Sequence, residues 1–517
     1  MQDADVIVVG GGIGGLVAAG LLARQGRRVL VCESHRTAGG ATHGFQRDGF
    51  RFDAGPSFFW GLGDPRSLNP VSQVLAVLGE SLESVPYDPL NVYHFPEGPF
   101  PVPGRWDAYR EAVSKFSARG AAELAELQRR FTGLYEAFKG IPILGLRSDW
   151  QLLPFLMRRY PGELAALTPH LKTIYSSVGQ VLDRCVSDPW ARRLLELECF
   201  LITTLTAHET PVPQMAVIFG ERDQAEVDYP KGGTEAIAAA LVRALTRLGG
   251  TLRTRTHVER ILVDGGRASG VRLRGGEVLR APIVISNASI WDTVGSLLEP
   301  LDLPGKFRQT ALRTPATYSF LHLHLGIRAE GLDELCAQHV VVNDGGQPIT
   351  APANACMISI PTVLDPELAP AGHHAIHAFT LEPWDAWRGS ERDDAYRKRK
   401  RARAEVIYRA VERIIPDLRE RVVVELVGTP LTHARYLRRH QGTYGPAITA
   451  ADGLFPSCAT PIRGLYRVGD STRPGMGVPA AAASGILCAN TLASNAQVED
   501  LLAAYGRSSS KADTKSD

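Results

Sequence analysis

Asp5-Val6-Ile7-Val8-Val9-Gly10-Gly11-Gly12-Ile13-Gly14-Gly15 is the stretch on which the reading of this chain turns. Its apolar, β-branched run predicts a buried strand, and the glycines predict a sharp turn out of it. Leu16 to Gln25 then reads as a helix, and Arg28-Val29-Leu30-Val31-Cys32-Glu33 as a second strand ending in an acid. Strand, glycine turn, helix, strand and acid in that order make the βαβ unit that binds a dinucleotide. Gly10 turns the chain, Gly12 lets a pyrophosphate approach the backbone, and Gly15 lets helix pack on strand. Ile13 and Gly14 complete the same turn. The helix N-terminus behind it attracts phosphate by roughly 0.3–1 kcal/mol. Glu33 is placed to accept bonds from ribose hydroxyls, and no Arg stands there to favour a 2′-phosphate. The unit alone does not separate a flavin from a nicotinamide dinucleotide.

The 517 residues are enough for two or three domains. Hydrophobic residues make up 44% and charged residues 22%, as in soluble globular proteins. A net charge of +2 gives no overall attraction for nucleic acid. The seven cysteines are scattered and form no CxxC, so they read as reduced thiols of a cytosolic or stromal compartment, with no zinc pattern. The first strand begins so early that no signal or transit peptide is expected. The longest uncharged run, Pro474 to Val498, carries Gly, Pro, Ser and Asn and suits a buried helix better than a membrane span.

Further along, a helix is expected over Pro70 to Leu78, stopped by Gly79. Strands are expected at Val92 to Phe95 and Phe100 to Val102, and a long helical region over Tyr109 to Phe138. Ile141 to Tyr160 is strongly apolar and ends in Arg158-Arg159-Tyr160. It suits either a monotopic membrane surface or an internal helical hairpin. Leu171 to Leu205 reads as helical with a break at Asp188-Pro189, and Thr234 as the cap of a helix to Leu248. Alternating runs at Ser319 to Leu325, Cys356 to Ile360 and His374 to Phe379 predict strands with one packed and one polar or cavity-lining face. A charged helix over Glu391 to Ile415, a strand ending in Gly469-Asp470 and a small-residue helix over Pro479 to Ser494 follow. The tail from 506 is expected to be disordered.

The glycine turn at one end and Gly469-Asp470 before a small-residue helix at the other resemble FAD-dependent amine oxidases and phytoene desaturases. The similarity is strongest to carotenoid isomerases of the prolycopene isomerase type. It is carried by Arg47-Asp48-Gly49-Phe50, Tyr229-Pro230-Lys231-Gly232-Gly233, Ser286-Asn287-Ala288, Ser359 to Asp365, Gly428 to His433, Gly442 to Pro446 and Gly464 to Ser471. The resemblance implies an α/β fold: a discontinuous Rossmann-like FAD-binding domain (1–90, 229–300 and 425–500) and an α+β substrate domain (91–228 and 301–424). It further implies that Gly10, Gly12, Ile13, Gly14, Gly15, Gly39 and Gly40 pass close to FAD and that Glu33 holds the adenosine ribose. By the same resemblance Val258 would meet adenine through its backbone, Gly232 and Gly233 would lie near the isoalloxazine and Asn287 near the cofactor, Gly469 and Asp470 at the ribityl and pyrophosphate end, and Met476, Gly477 and Val478 at the start of the last helix, facing the flavin. The expected partner is a long-chain carotenoid whose polyene is isomerised with reduced FAD; a hydratase, saturase or desaturase of the same family is the alternative, and a non-catalytic carotenoid-binding flavoprotein or an amine oxidase the remote one. The expected location is a membrane face, in a plastid or in a bacterial cytoplasm. Oligomeric state is not read from the sequence, and no nucleic acid is expected.

The chain departs from that family at His208-Glu209 and at Arg473 to Pro479. An acid–base pair at His208 and Glu209 could protonate or hydrate a polyene; a solvated loop is the plainer reading. Glu198, among Leu194, Leu195, Phe200 and Leu201, is either a buried acid or a structural hydrogen-bonding group. His322, His324, His374 and His377 invite a metal reading, but polar positions on strands account for them, and no metal is expected. The basic run Arg397 to Arg401 reads as a solvated helix face first and as a lipid-headgroup contact second.

Overall fold

A computed structural model describes residues 2–55 and 57–513. At its centre is a five-stranded parallel sheet ordered Thr251–Arg253, Val29–Cys32, Val6–Val9, Ile283–Ser286, Leu465–Arg467. These strands come from three distant parts of the chain. A parallel sheet needs crossovers and cover on both faces, which is why Val6, Val8, Val29, Val31 and Ile285 are all buried. Helix Ile13–Arg24 lies beneath the sheet between helices Glu235–Arg247 and Val478–Thr491, and every residue from Ile13 to Ala23 is buried. Its weak amphipathicity follows from being enclosed on all sides. The close crossing with Val478–Thr491 depends on Gly485, where a Cβ would stand 2.6 Å from the Gly14 carbonyl oxygen.

A second sheet carries the other half of the molecule. Its seven strands run Val422–Gly428, Ser319–Arg328, His373–Glu382, Ala355–Ser359, Gln338–Val342, Asn91–Phe95, Gly98–Val102. On Ser319–Arg328 the alternation separates two buried faces, not a buried and a wet one. Leu321, Leu323 and Leu325 pack beneath helix Asp394–Glu412 with Ile407 and Val411, while His322 and His324 face the opposite layer. Strand Val422–Gly428 belongs entirely to this sheet, so the boundary expected at 425 falls inside an element.

Helices Trp106–Ser114, Ala118–Phe138, Val178–Cys185, Pro189–Thr203 and Val212–Glu221 pack on this sheet around Trp106, Phe131, Leu195, Phe200 and Phe219. The region expected as one helix over Tyr109 to Phe138 is two, because Ser117 accepts from Gly120 N and restarts it. Thr234 occupies the expected cap position, but its hydroxyl bonds Asp53 Oδ1 at 2.9 Å instead of capping. Several elements escape the sequence reading, among them strand Gln338–Val342 and helices Gly305–Leu312 and Pro430–Tyr436. Another is helix Asn495–Asp513, which continues through the start of the segment expected to be a disordered tail; residues 514–517 of that tail lie outside the described residues. Val478–Thr491 is therefore not the last helix.

The apolar stretch before Tyr160 is buried on one side and exposed on the other. Ile141, Leu144, Phe155 and Leu156 are buried against the first core. On the other side of helix Leu152–Arg159, Trp150, Leu153 and Met157 are 81%, 60% and 60% exposed. Arg158 and Arg159 reach Glu499 at 2.9 and 3.1 Å, which ties this helix to the C-terminal one. Among the described residues no helix is long and apolar enough to cross a membrane.

Candidate active site

A cavity of about 540 Å³ runs between the two sheets. One end is built by the parallel sheet. Gly10, Gly12, Ile13, Gly14, Glu33, Gly39, Gly40, Val258, Asn287, Gly469, Asp470, Gly477 and Val478 all line it. Glu33 is buried, and its two oxygens accept from Gly11 N at 2.7 Å and His35 N at 2.6 Å, so it also clamps the turn it faces. Asp470 pairs with Arg439 and accepts from Ser471 Oγ at 2.9 Å. Gly477 stands at the N-terminus of helix Val478–Thr491, whose free N–H groups open on the cavity.

Four expected positions do not line it. At Gly15 a Cβ would meet the Gly10 carbonyl oxygen at 2.4 Å, so its work is packing behind the turn. Gly232 donates its N–H to Asp365 Oδ2 at 2.7 Å, and a Cβ at Gly233 would meet Asp53 Oδ1 at 3.1 Å. That turn is fastened behind the wall by buried Asp53, which also accepts from Tyr229 and Thr234. Met476 is buried against Gly445, where a Cβ would meet its Sδ at 2.6 Å.

The far end of the cavity is lined by Leu201, Thr204, Phe320, His322, Met357, Phe379, His433 and Tyr444. Register places His324 opposite His377 and His322 opposite Phe379. His322 Nδ1 faces His377 Nε2 at 2.7 Å with the rings within 13° of one plane. His324 stacks on His377 at 4.3 Å, and His433, from helix Pro430–Tyr436, stacks on His322 at 4.4 Å. Burial, reinforced by the neighbouring imidazoles, drives His322 and His377 well below the usual histidine range. Burial alone lowers His324 to about 4, and burial with Arg439 lowers His433 to about 3. The array is uncharged at neutral pH.

His322, His324 and His377 bring their ring nitrogens within 4.8 Å, a set from which metal sites are made. Here one nitrogen of each ring is already engaged. One proton lies between His322 and His377, and His324 Nε2 bonds the Asp53 carbonyl oxygen at 3.0 Å. His374 lies outside the group, on Thr362. The array depends on cross-strand register and on a helix far along the chain; the only trace of it in sequence is the alternation His322-Leu323-His324.

The acids and base singled out from sequence lie elsewhere. Glu198 Oε1 accepts from Arg222 at 3.0 Å in a buried ion pair, with the guanidinium 4.1 Å from the Tyr109 ring centre. Its charge is neutralised where it stands. His208 is exposed and pairs with Asp183 at 3.0 Å. Glu209 Oε2 accepts from Thr206 N and Oγ1, closing a turn. None of the three lines the cavity, so none is placed to exchange a proton with its occupant.

Residues 13–493 match the family model described as flavin containing amine oxidoreductase. The chain belongs to that family. It is 35% identical over 510 residues to the chloroplastic prolycopene isomerase of Daucus carota, covering 96% of this chain and 81% of that protein. It is 28% identical to the neurosporene-forming phytoene desaturase of Cereibacter sphaeroides, covering 92% of each. An oxidoreductase from Methanosarcina mazei shares the fold at TM-score 0.62 and 20% identity, covering 95% of this chain and all of that one. The dinucleotide of this family member is FAD. The lining suits it: the glycine turn Gly10 to Gly14 and the N-terminus of helix Val478–Thr491 both border the cavity, a combination that accommodates a phosphate.

Proposed function

We propose that this flavoprotein acts on the polyene chain of a carotenoid and isomerises it between cis and trans forms. The observation that carries the reading is the similarity to a prolycopene isomerase along 96% of the chain. The apolar, aromatic far end of the cavity supports it. Gly10, Gly12, Ile13, Gly14, Gly39, Gly40 and Asn287 would hold the pyrophosphate side of FAD, Glu33 the ribose, Val258 the adenine side, and Asp470 and Gly477 the ribityl and flavin side. When bound in reduced form, FAD supplies an electron-rich surface that can lend electron density to a polyene and take it back. The chain's own part is to shape the tunnel, shut out water with Phe320, Met357, Phe379 and Tyr444, and keep its imidazoles neutral beside a neutral ligand. With His208 and Glu209 outside the cavity, that pair is not placed to hydrate the chain.

The division into FAD-binding and substrate-binding parts belongs to the same proposal, with the last boundary moved past Gly428. So does peripheral attachment to a lipid surface, plastid or bacterial, through Trp150, Leu153 and Met157. An apolar helix face of this kind lies in the headgroup boundary without spanning it. Turnover against flavin tests the catalytic reading. Anaerobic protein with one equivalent of reduced FAD should convert many equivalents of poly-cis carotenoid, and the flavin spectrum should stay reduced. Conversion that stops after one equivalent, with the flavin oxidised, would mean net reduction of the substrate.

A further inference from the structure

The described residues include three buried arginines, Arg147, Arg222 and Arg467. A cation taken out of water needs an opposite charge beside it. Arg147 has one in Asp149 at 2.8 Å, and Arg222 has one in Glu198 at 3.0 Å. Arg467 meets no carboxylate among the described residues. Its Nη2 donates to the Ser471 carbonyl oxygen at 3.0 Å, and its Nε is buried with no partner. Burial pulls its pKa down to about 10, which leaves the guanidinium charged at neutral pH.

Two ionisable neighbours stand nearby, and neither cancels that charge. Asp470 is engaged by Arg439 and makes no ion pair with Arg467. Arg439, Arg467 and Asp470 together therefore carry one net positive charge. The Cys458 thiol reaches Thr491 Oγ1 at 3.8 Å in the core on one face of the parallel sheet. Leu465 packs in the core on the other face, and strand alternation puts Arg467 on the side of Leu465.

The place of Arg467 in the fold indicates where the missing anion comes from. It ends strand Leu465–Arg467, and Gly469 and Asp470, just beyond, line the cavity. A Cβ at Gly14 would stand 2.9 Å from Gly469 N, so this end of the strand is packed on the glycine turn. FAD brings two negative charges in its pyrophosphate. The cavity wall meets them with four carboxylates, Glu33, Glu259, Asp292 and Asp470, against two guanidinium groups, Arg438 and Arg439. A dianion held by that wall needs a further positive charge.

We propose that Arg467 is the buried counter-charge of the FAD pyrophosphate. It lies behind the cavity wall and does not touch the cofactor. It acts through the protein interior, where a charge is weakly screened, and the cofactor in turn neutralises it. Arg467 is thus a positioning residue for FAD, whatever the substrate.

One substitution should move two quantities in opposite senses. The urea midpoint of the full-length Arg467→Met apoprotein should be at or above that of wild type, because a buried charge without a partner is gone. Its dissociation constant for oxidised FAD, read from flavin fluorescence, should rise at least tenfold. Oxidised FAD is the probe because its ring is uncharged, so the pyrophosphate alone supplies the negative charge. Arg467→Gln keeps a donor for Ser471 without the charge, and it should bind FAD as weakly as Arg467→Met. A midpoint below wild type, or an Arg467→Met chain that does not fold, would make Arg467 a structural group and overturn the proposal. So would unchanged FAD affinity in Arg467→Met, or wild-type affinity in Arg467→Gln. Each of these results would leave the carotenoid reading in place.

Discussion

A single methyl group separates two jobs done by the glycines of the first turn. At Gly15 the added Cβ would meet a backbone oxygen, Gly10 O, at 2.4 Å, and nothing there can step aside. Gly15→Ala should therefore cost about 1–3 kcal/mol of stability with or without flavin, read from urea unfolding of the apoprotein. At Gly12 the Cβ would meet only the end of the Asn287 side chain, at 2.6 Å, which can rotate. Gly12→Ala should unfold within about 0.5 kcal/mol of wild type yet be purified with little FAD, because the methyl occupies the pyrophosphate's approach. Equal flavin content in the two proteins would remove Gly12 from the cofactor site. Thr204 stands at φ 60°, in the left-handed region. Thr204→Gly should raise stability by about 1 kcal/mol by ending that strain, again by urea midpoint.

At the scale of elements, what was legible in the sequence and what was not follow from range. The βαβ unit was legible because turn, helix period and terminal acid are all local, and so were Pro70–Leu78 and its stop at Gly79, which has φ 70°. The histidine array was not, since it needs Ser319–Arg328 paired with His373–Glu382 and helix Pro430–Tyr436 laid over both. His208 and Glu209 misled for the reverse reason: adjacency along the chain put an acid beside a base, but the fold turned His208 to the surface and spent Glu209 on its own turn. Glu198 was rightly read as buried, but Arg222, which neutralises it, comes from the end of another helix. Arg222→Met should cost about 3–5 kcal/mol, since it leaves a carboxylate buried and unpaired, whereas His208→Ala with Glu209→Ala should keep turnover within twofold of wild type, by initial rates.

The array also sets a pH dependence. Folded values of about 4 for His324 and about 3 for His433 lie below the roughly 6.5 of an unfolded histidine. As pH falls the unfolded chain takes up these protons first. The stability tied to the neutral rings is complete above about pH 6.5 and is lost as pH drops through the window down to the folded values. Each ring contributes at most about 1.4 kcal/mol per pH unit. Urea midpoints should fall more steeply between pH 7.5 and 5.0 in wild type than in His324→Phe. Buried Asp53 and Asp228, raised by desolvation, act in the opposite direction, and they are present in both proteins, so they cancel in the comparison.

Across the whole molecule, three pieces of chain close one parallel sheet and much of the remainder builds a seven-stranded sheet with helices around it, leaving the cavity between them. The exposed face of helix Leu152–Arg159 lies outside that arrangement, and its partner is proposed to be lipid. Replacing Trp150, Leu153 and Met157 with serine should reduce flotation with liposomes at least tenfold while FAD content stays at wild-type level; undiminished flotation would return this face to the protein's own packing.

The central claim is redox-neutral chemistry on a polyene, and product mass reads it most directly. The FAD-loaded protein, reduced and anaerobic, is incubated with a poly-cis carotenoid, and the products are resolved by chromatography with mass detection. The account predicts products of unchanged mass and altered double-bond geometry. A gain or loss of two hydrogens, or the addition of one water, would contradict it.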